Sequence, residues 1–131
     1  MTETTAPAIA DTVSRYLEFW NSTPDQQRRT GDRTFAGDAS YIAPIGVLSG
    51  VDALADFTDQ FVSNMGGYRF QIRTEPDIHH GYARLAWEIR TGDTSFAEGT
   101  DVLTIDDAGL VTSVVTFVDR APEVAAHHAE G

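Results

Sequence analysis

Ser95-Phe96-Ala97-Glu98-Gly99-Thr100-Asp101-Val102-Leu103-Thr104-Ile105 sets one carboxylate inside an apolar alternation. Successive strand residues point to opposite faces, so Asp101 shares its face with Ala97, Gly99, Leu103 and Ile105. That face is the one expected to point inward. A carboxylate there is costly unless hydrogen bonds or chemistry occupy it, and Ala97 and Gly99 leave room beside it. The segment predicts a strand covered on its Asp101 side, with an acid in the wall of a small cavity.

Downstream, Asp106-Asp107-Ala108-Gly109 reads as a hairpin turn into a last strand, Val111 to Val118. That strand is apolar on both faces, with Val111, Val115 and Phe117 on one and Val114, Thr116 and Val118 on the other. Upstream, Leu85, Trp87 and Ile89 alternate with Arg84, Glu88 and Arg90, and Tyr68, Phe70 and Ile72 alternate with Arg69, Gln71 and Arg73. Both are half-buried strands. Before them the period changes to that of a helix: Val51, Leu54, Phe57, Thr58, Phe61, Val62 and Met65 share a face, and Gly66-Gly67 is the stop. Ser40 to Pro44 and Val47-Leu48 read as two short extended pieces around a Pro44/Gly46 turn. Thr23-Pro24-Asp25-Gln26 has the pattern of a capping box and predicts a second helix running to about Phe35. Ile9, Val13, Tyr16, Leu17 and Trp20 form one face of a first helix over residues 8–21, with Pro7 in its first turn.

Early helices and late antiparallel strands predict an α+β domain in which the helices cover one face of a curved sheet. The helices can cover only the concave side, so the second apolar face of the last strand predicts a homodimer packed sheet to sheet. Residues 1–7 read as a flexible start, 8–119 as the domain and 120–131 as a polar tail.

A length of 131 residues with 41% hydrophobic content fits one domain with one core. Twenty acidic against nine basic side chains give a net charge of −11, which argues against nucleic acid and anionic membranes as partners. Without cysteine there is no disulfide framework, thiolate site or thiol nucleophile. No basic start leads into a long apolar run, and no stretch reaches membrane length, so the reading is a soluble cytoplasmic protein. His79-His80 and His127-His128 lack zinc-site spacing. No metal and no cofactor are expected, and His79-His80 is read as a solvated turn after Pro76-Asp77.

Arg15-Tyr16-Leu17, Phe35-Ala36-Gly37-Asp38-Ala39, Pro44-Ile45-Gly46, Ser49-Gly50, Gly99-Thr100-Asp101-Val102 and Asp106-Asp107-Ala108-Gly109 together carry a family resemblance. Over residues 8–119 the chain resembles the SnoaL-like group of the nuclear transport factor 2-like superfamily, which includes polyketide cyclases and ketosteroid isomerases. The resemblance implies a cone-shaped, cystatin-like α+β barrel with one pocket between three helices and the concave sheet, and often a dimer. In ketosteroid isomerases a carboxylate base moves a proton while a tyrosine and a protonated aspartic acid hold the enolate oxygen. Matched by position, that oxyanion pair falls on Tyr16 and Asp101, the expected catalytic residues. The base falls on Ala43, whose methyl group takes no proton, and two supporting tyrosines fall on Phe35 and Thr58. Asp119 is a second candidate carboxylate.

Trp20, Phe35, Phe57, Phe61, Trp87 and Val118 are expected in the core and on the wall of a substrate pocket, since such pockets are mostly apolar. The expected function is a cofactor-independent isomerase, cyclase or dehydratase acting on a small hydrophobic carbonyl compound. The alternatives are a non-catalytic binder of a small hydrophobic molecule and a structural dimer with a vestigial cavity.

Overall fold

The computed structural model describes residues 6–121. Helix α1 (Ala6–Trp20) buries Ile9, Val13, Tyr16, Phe19 and Trp20. It begins inside the stretch read as a flexible start; the rest of that stretch and most of the polar tail lie outside the described residues. Helix α2 (Pro24–Thr30) opens on the expected capping box, the Gln26 amide donating to Thr23 Oγ1 at 3.2 Å and the Thr23 amide donating to Gln26 Oε1 at 2.9 Å.

The second helix was expected to reach Phe35, but it stops at Thr30, followed by a 3₁₀ turn (Gly31–Arg33). Phe35 instead opens strand β1 (Phe35–Ala43). A long-range contact decides this: the Thr34 carbonyl accepts the Val111 amide at 2.8 Å, which draws the chain into the sheet. β1 turns into β2 (Gly46–Ser49) through Gly46, whose φ of 138° suits glycine. Helix α3 (Val51–Met65) ends at Gly66, with φ 79° and its amide donating to the Val62 carbonyl at 2.7 Å.

Five strands follow: β3 (Arg69–Ile72), β4 (Asp77–His79), β5 (Tyr82–Thr91), β6 (Thr94–Ile105) and β7 (Val111–Arg120). The last runs one residue past the expected domain end. The expected solvated turn at His79-His80 is corrected in part: His79 pairs with Tyr82 in a short ladder, and only His80 and Gly81 make the turn. Both histidines are exposed.

The sheet order is β2-β1-β7-β6-β5-β3, with β4 also on β5; every pairing is antiparallel except β1 with β7. Three helices on this curved, open sheet make an α+β fold. Ala97, Gly99, Asp101, Leu103 and Ile105 are all buried on β6, as strand parity requires. On β7 strict alternation fails. The register against β6 shifts between Thr104 and Ile105, so Val111 and Val114 both turn inward, and Val111 does not share the outer face with Val115 and Phe117. The core joins α1 and α3 to the concave face; Phe35, Leu54, Leu85 and Leu103 are almost wholly buried, each worth about 1.5–3 kcal/mol. On the convex face Val47, Ile42, Val115 and Val102 pair in one row across β2, β1, β7 and β6. Phe117 stands beside that row, 55% exposed. Among the described residues no helix is long and apolar enough to cross a membrane.

Candidate functional site

Asp101 lies at the centre of β6, almost fully buried, and accepts three hydrogen bonds. The Tyr16 hydroxyl, from the inner face of α1, donates to Oδ2 at 2.5 Å. The Trp87 indole N–H donates to Oδ1 at 2.7 Å, and the Thr116 hydroxyl donates to the same oxygen at 2.8 Å. Sheet register explains both of the latter. Thr116 on β7 stands directly opposite Asp101, while Trp87 on β5 stands opposite Gly99. The indole can lie across Gly99 and reach Asp101 only because that position has no side chain; a Cβ there would run into the Trp87 ring and the Phe117 carbonyl. The room foreseen beside the carboxylate is filled by tryptophan.

Burial raises the Asp101 pKa above the ordinary carboxylate range, and the three donors oppose it. The Tyr16 phenol is pushed well up, first by its own burial and then by the neighbouring Asp101 charge.

A cavity of about 210 Å³ opens between α1, α3 and the concave sheet. Of the expected pocket residues Trp20, Phe57, Phe61, Trp87 and Val118 line it, and Ala43 faces it from the end of β1. Phe35 does not; it packs edge-on against Tyr16 and Phe19, with ring centroids 5.9 and 4.8 Å away. Tyr16 and Asp101 are hydrogen-bonded to each other but are also absent from the lining, where Thr116 and Trp87 present themselves instead. Asp119 is exposed and accepts the Thr100 hydroxyl at 2.8 Å, away from the cavity.

Among the lining residues that escaped the sequence reading are Tyr41 and Thr116. Strand parity held the signal for both, since Tyr41 shares its face with Ala39 and Ala43, and Thr116 shares its face with Val114 and Val118.

Four polar groups of the wall have their protons committed. Thr58 donates to the Leu54 carbonyl at 3.1 Å, Tyr68 to the Trp20 carbonyl, and Thr116 and Trp87 to Asp101. Burial pushes the Tyr68 phenol up to about 12. It also raises Tyr41, aided by the Asp101 charge and opposed by the adjacent Thr116 hydroxyl. The Trp20 indole N–H, beside the Tyr16 hydroxyl, finds no acceptor in hydrogen-bonding geometry. Among the described residues no group of histidine, aspartate and glutamate side chains could hold a metal ion.

Helices over a concave, mostly antiparallel sheet, closing on an aromatic cavity above a buried Tyr–Asp pair, define an α+β small-molecule-pocket architecture. The profile of the SnoaL-like domain matches residues 13–114, and the chain belongs to that family. A proposed isomerase of the SnoaL-like family from Agrobacterium tumefaciens is similar at 26% identity and TM-score 0.78, over 86% of this chain and 98% of that one. A cystatin-like-fold protein of unknown function from Methylobium petroleophilum shares the fold at 16% identity and TM-score 0.70, over 91% of this chain and 80% of the other. So does a protein of ketosteroid isomerase-like fold from Catenulispora acidiphila, solved in complex with trimethylamine, at 17% identity and TM-score 0.65, over 81% and 83%. No curated protein matches the sequence significantly.

Proposed function

We propose that the protein holds a small, largely apolar molecule in the cavity between α1, α3 and the concave sheet, without itself abstracting a proton. One observation carries this reading: no residue lining the cavity bears a carboxylate, an imidazole or an amine. A general base must come within hydrogen-bonding reach of the proton it takes. Ala43 occupies the position where the resemblance puts one, and Asp101 stands behind Thr116 and Trp87, which donate to it, and does not line the cavity. Tyr16 and Asp101 then act as a buried pair that fixes Thr116 and Trp87 and sets the electrostatic field beneath the ligand. A cavity of about 150 Å³ accepts benzene. At about 210 Å³ this one suits a ligand somewhat larger than a single ring, and it falls below the volume typical for drug-sized molecules.

A second reading, a cofactor-independent isomerase, cyclase or dehydratase on a small hydrophobic carbonyl compound, draws support from the Trp20 N–H, a buried donor in the wall with no acceptor. The two readings separate in one experiment. Small ring compounds, with and without a ketone, are titrated while the fluorescence of Trp20 and Trp87 is followed, and the same ketones are then assayed for isomerisation or dehydration. Saturable binding without turnover is expected. Turnover abolished by Asp101→Asn would establish the enzymatic reading, and absence of any saturable binding would remove both.

The surroundings we propose are a homodimer through the convex sheet face, in a cytoplasmic protein whose charge of −11 disfavours nucleic acid and anionic membranes.

A further inference from the structure

We infer that the occupant of the cavity is a small organic cation, an ammonium nitrogen coated with alkyl groups. The inference rests on the small-ligand reading above and names the ligand's chemistry. Half of the lining residues are aromatic, and they come from both helices and from the sheet: Trp20 on α1, Phe57 and Phe61 on α3, Phe70, Trp87 and Phe96 on the strands. Aromatic faces carry negative charge density and attract cations, most strongly where water is excluded.

The hydroxyl groups of the wall agree with the rings. Thr58, Tyr68 and Thr116 have given their protons to Leu54, Trp20 and Asp101, so these three hydroxyls offer a ligand their lone pairs. Thr116 donates to Asp101 Oδ1 whichever state the carboxyl is in, because a proton on the acid would sit on Oδ2, facing Tyr16. A carbonyl oxygen meets the wrong end of each of these dipoles. A cation meets the right one, with the Asp101 carboxyl a single hydroxyl away and no lysine, arginine or histidine in the lining to repel it. An alkyl-coated nitrogen spreads its charge and presents methyl groups to an apolar wall, so its desolvation costs less than that of a bare ammonium. The overall charge of −11 favours its approach.

The test uses three probes of matched shape: choline, 3,3-dimethylbutan-1-ol and 3,3-dimethylbutan-2-one. Their dissociation constants are measured by calorimetry and saturation-transfer NMR on the wild type, Asp101→Asn and Phe61→Leu. Choline is expected to bind about tenfold or more tightly than the alcohol. It should lose most of that advantage in Asp101→Asn and several-fold in Phe61→Leu, while the alcohol changes little in either. Should Asp101→Asn fail to fold, Phe61→Leu alone decides the aromatic contribution. If the alcohol or the ketone binds as tightly as choline, the cation is refuted and the apolar-ligand reading stands. If none of the three binds at millimolar concentration, both fall.

Discussion

Replacing Asp101 by asparagine keeps the side chain's shape and removes its charge, so the effect on stability should vary with pH. Burial raises the carboxyl's pKa in the folded protein, and between the unfolded and folded values the folded state therefore holds more protons. Stability from this group is full below about pH 4 and is lost as the pH rises through the folded value. The wild type should compare best with Asp101→Asn in acid and lose ground as the solution approaches neutrality. A melting-temperature difference that stays flat from roughly pH 3 to 8 would show that the carboxyl titrates like an exposed one. Gly99→Ala tests the same spot sterically. Its methyl group collides with the Trp87 ring and the Phe117 carbonyl, an overpacking expected to cost about 1–3 kcal/mol in urea denaturation and to alter the near-UV signal of tryptophan. A neutral result would mean that the indole is free to leave Asp101. Parity and helix period are local, which is why they put Asp101 on a buried face and Tyr16 on the inner side of α1. Tyr41 and Thr116 went unread for a related reason: a hydroxyl on a buried face looks the same in sequence whether it meets packing or a void. The void exists only where α1, α3 and the strands all fall short of one another.

The convex row of Val47, Ile42, Val115 and Val102 belongs to four strands at once and is where a second copy is expected to dock. Val115→Glu puts a charge in the middle of it. Sedimentation should show a dimer for the wild type and a monomer for the variant, with the fold intact by circular dichroism; a wild-type monomer at micromolar concentration would refute the interface. The elements most legible in the sequence are those whose period runs long without interruption. α3 and β6 fall where their spacing puts them, because each buries one continuous stripe. α2 ends early and β1 starts early because the Thr34 carbonyl is claimed by Val111, a partner no local window contains. β4 has only three residues and owes its existence to the ladder with β5. The inward turn of Val111 depends on a register shift against β6, which alternation within β7 could not reveal.

Across the whole molecule the two ends of the described chain are bound together. Thr12 on α1 donates to the Gly109 carbonyl at 2.7 Å, 97 positions away, and Tyr16 reaches Asp101 across 85. Contacts of such separation slow folding, and refolding from urea is expected on a millisecond-to-second scale, well behind helical proteins of this size. Complete recovery within microseconds in a temperature-jump experiment would contradict this. The parallel pairing of β1 with β7 carries a consequence for synthesis. On the ribosome β1 emerges early, yet its inner neighbour in the sheet is the last of the described strands to be translated. Until β7 arrives, the β1–β2 pair and the β3 to β6 part of the sheet lack the strand that joins them. A chaperone that shields apolar segments during translation should therefore raise the yield of folded protein, and a stop codon placed just after β6 should yield a chain that never closes.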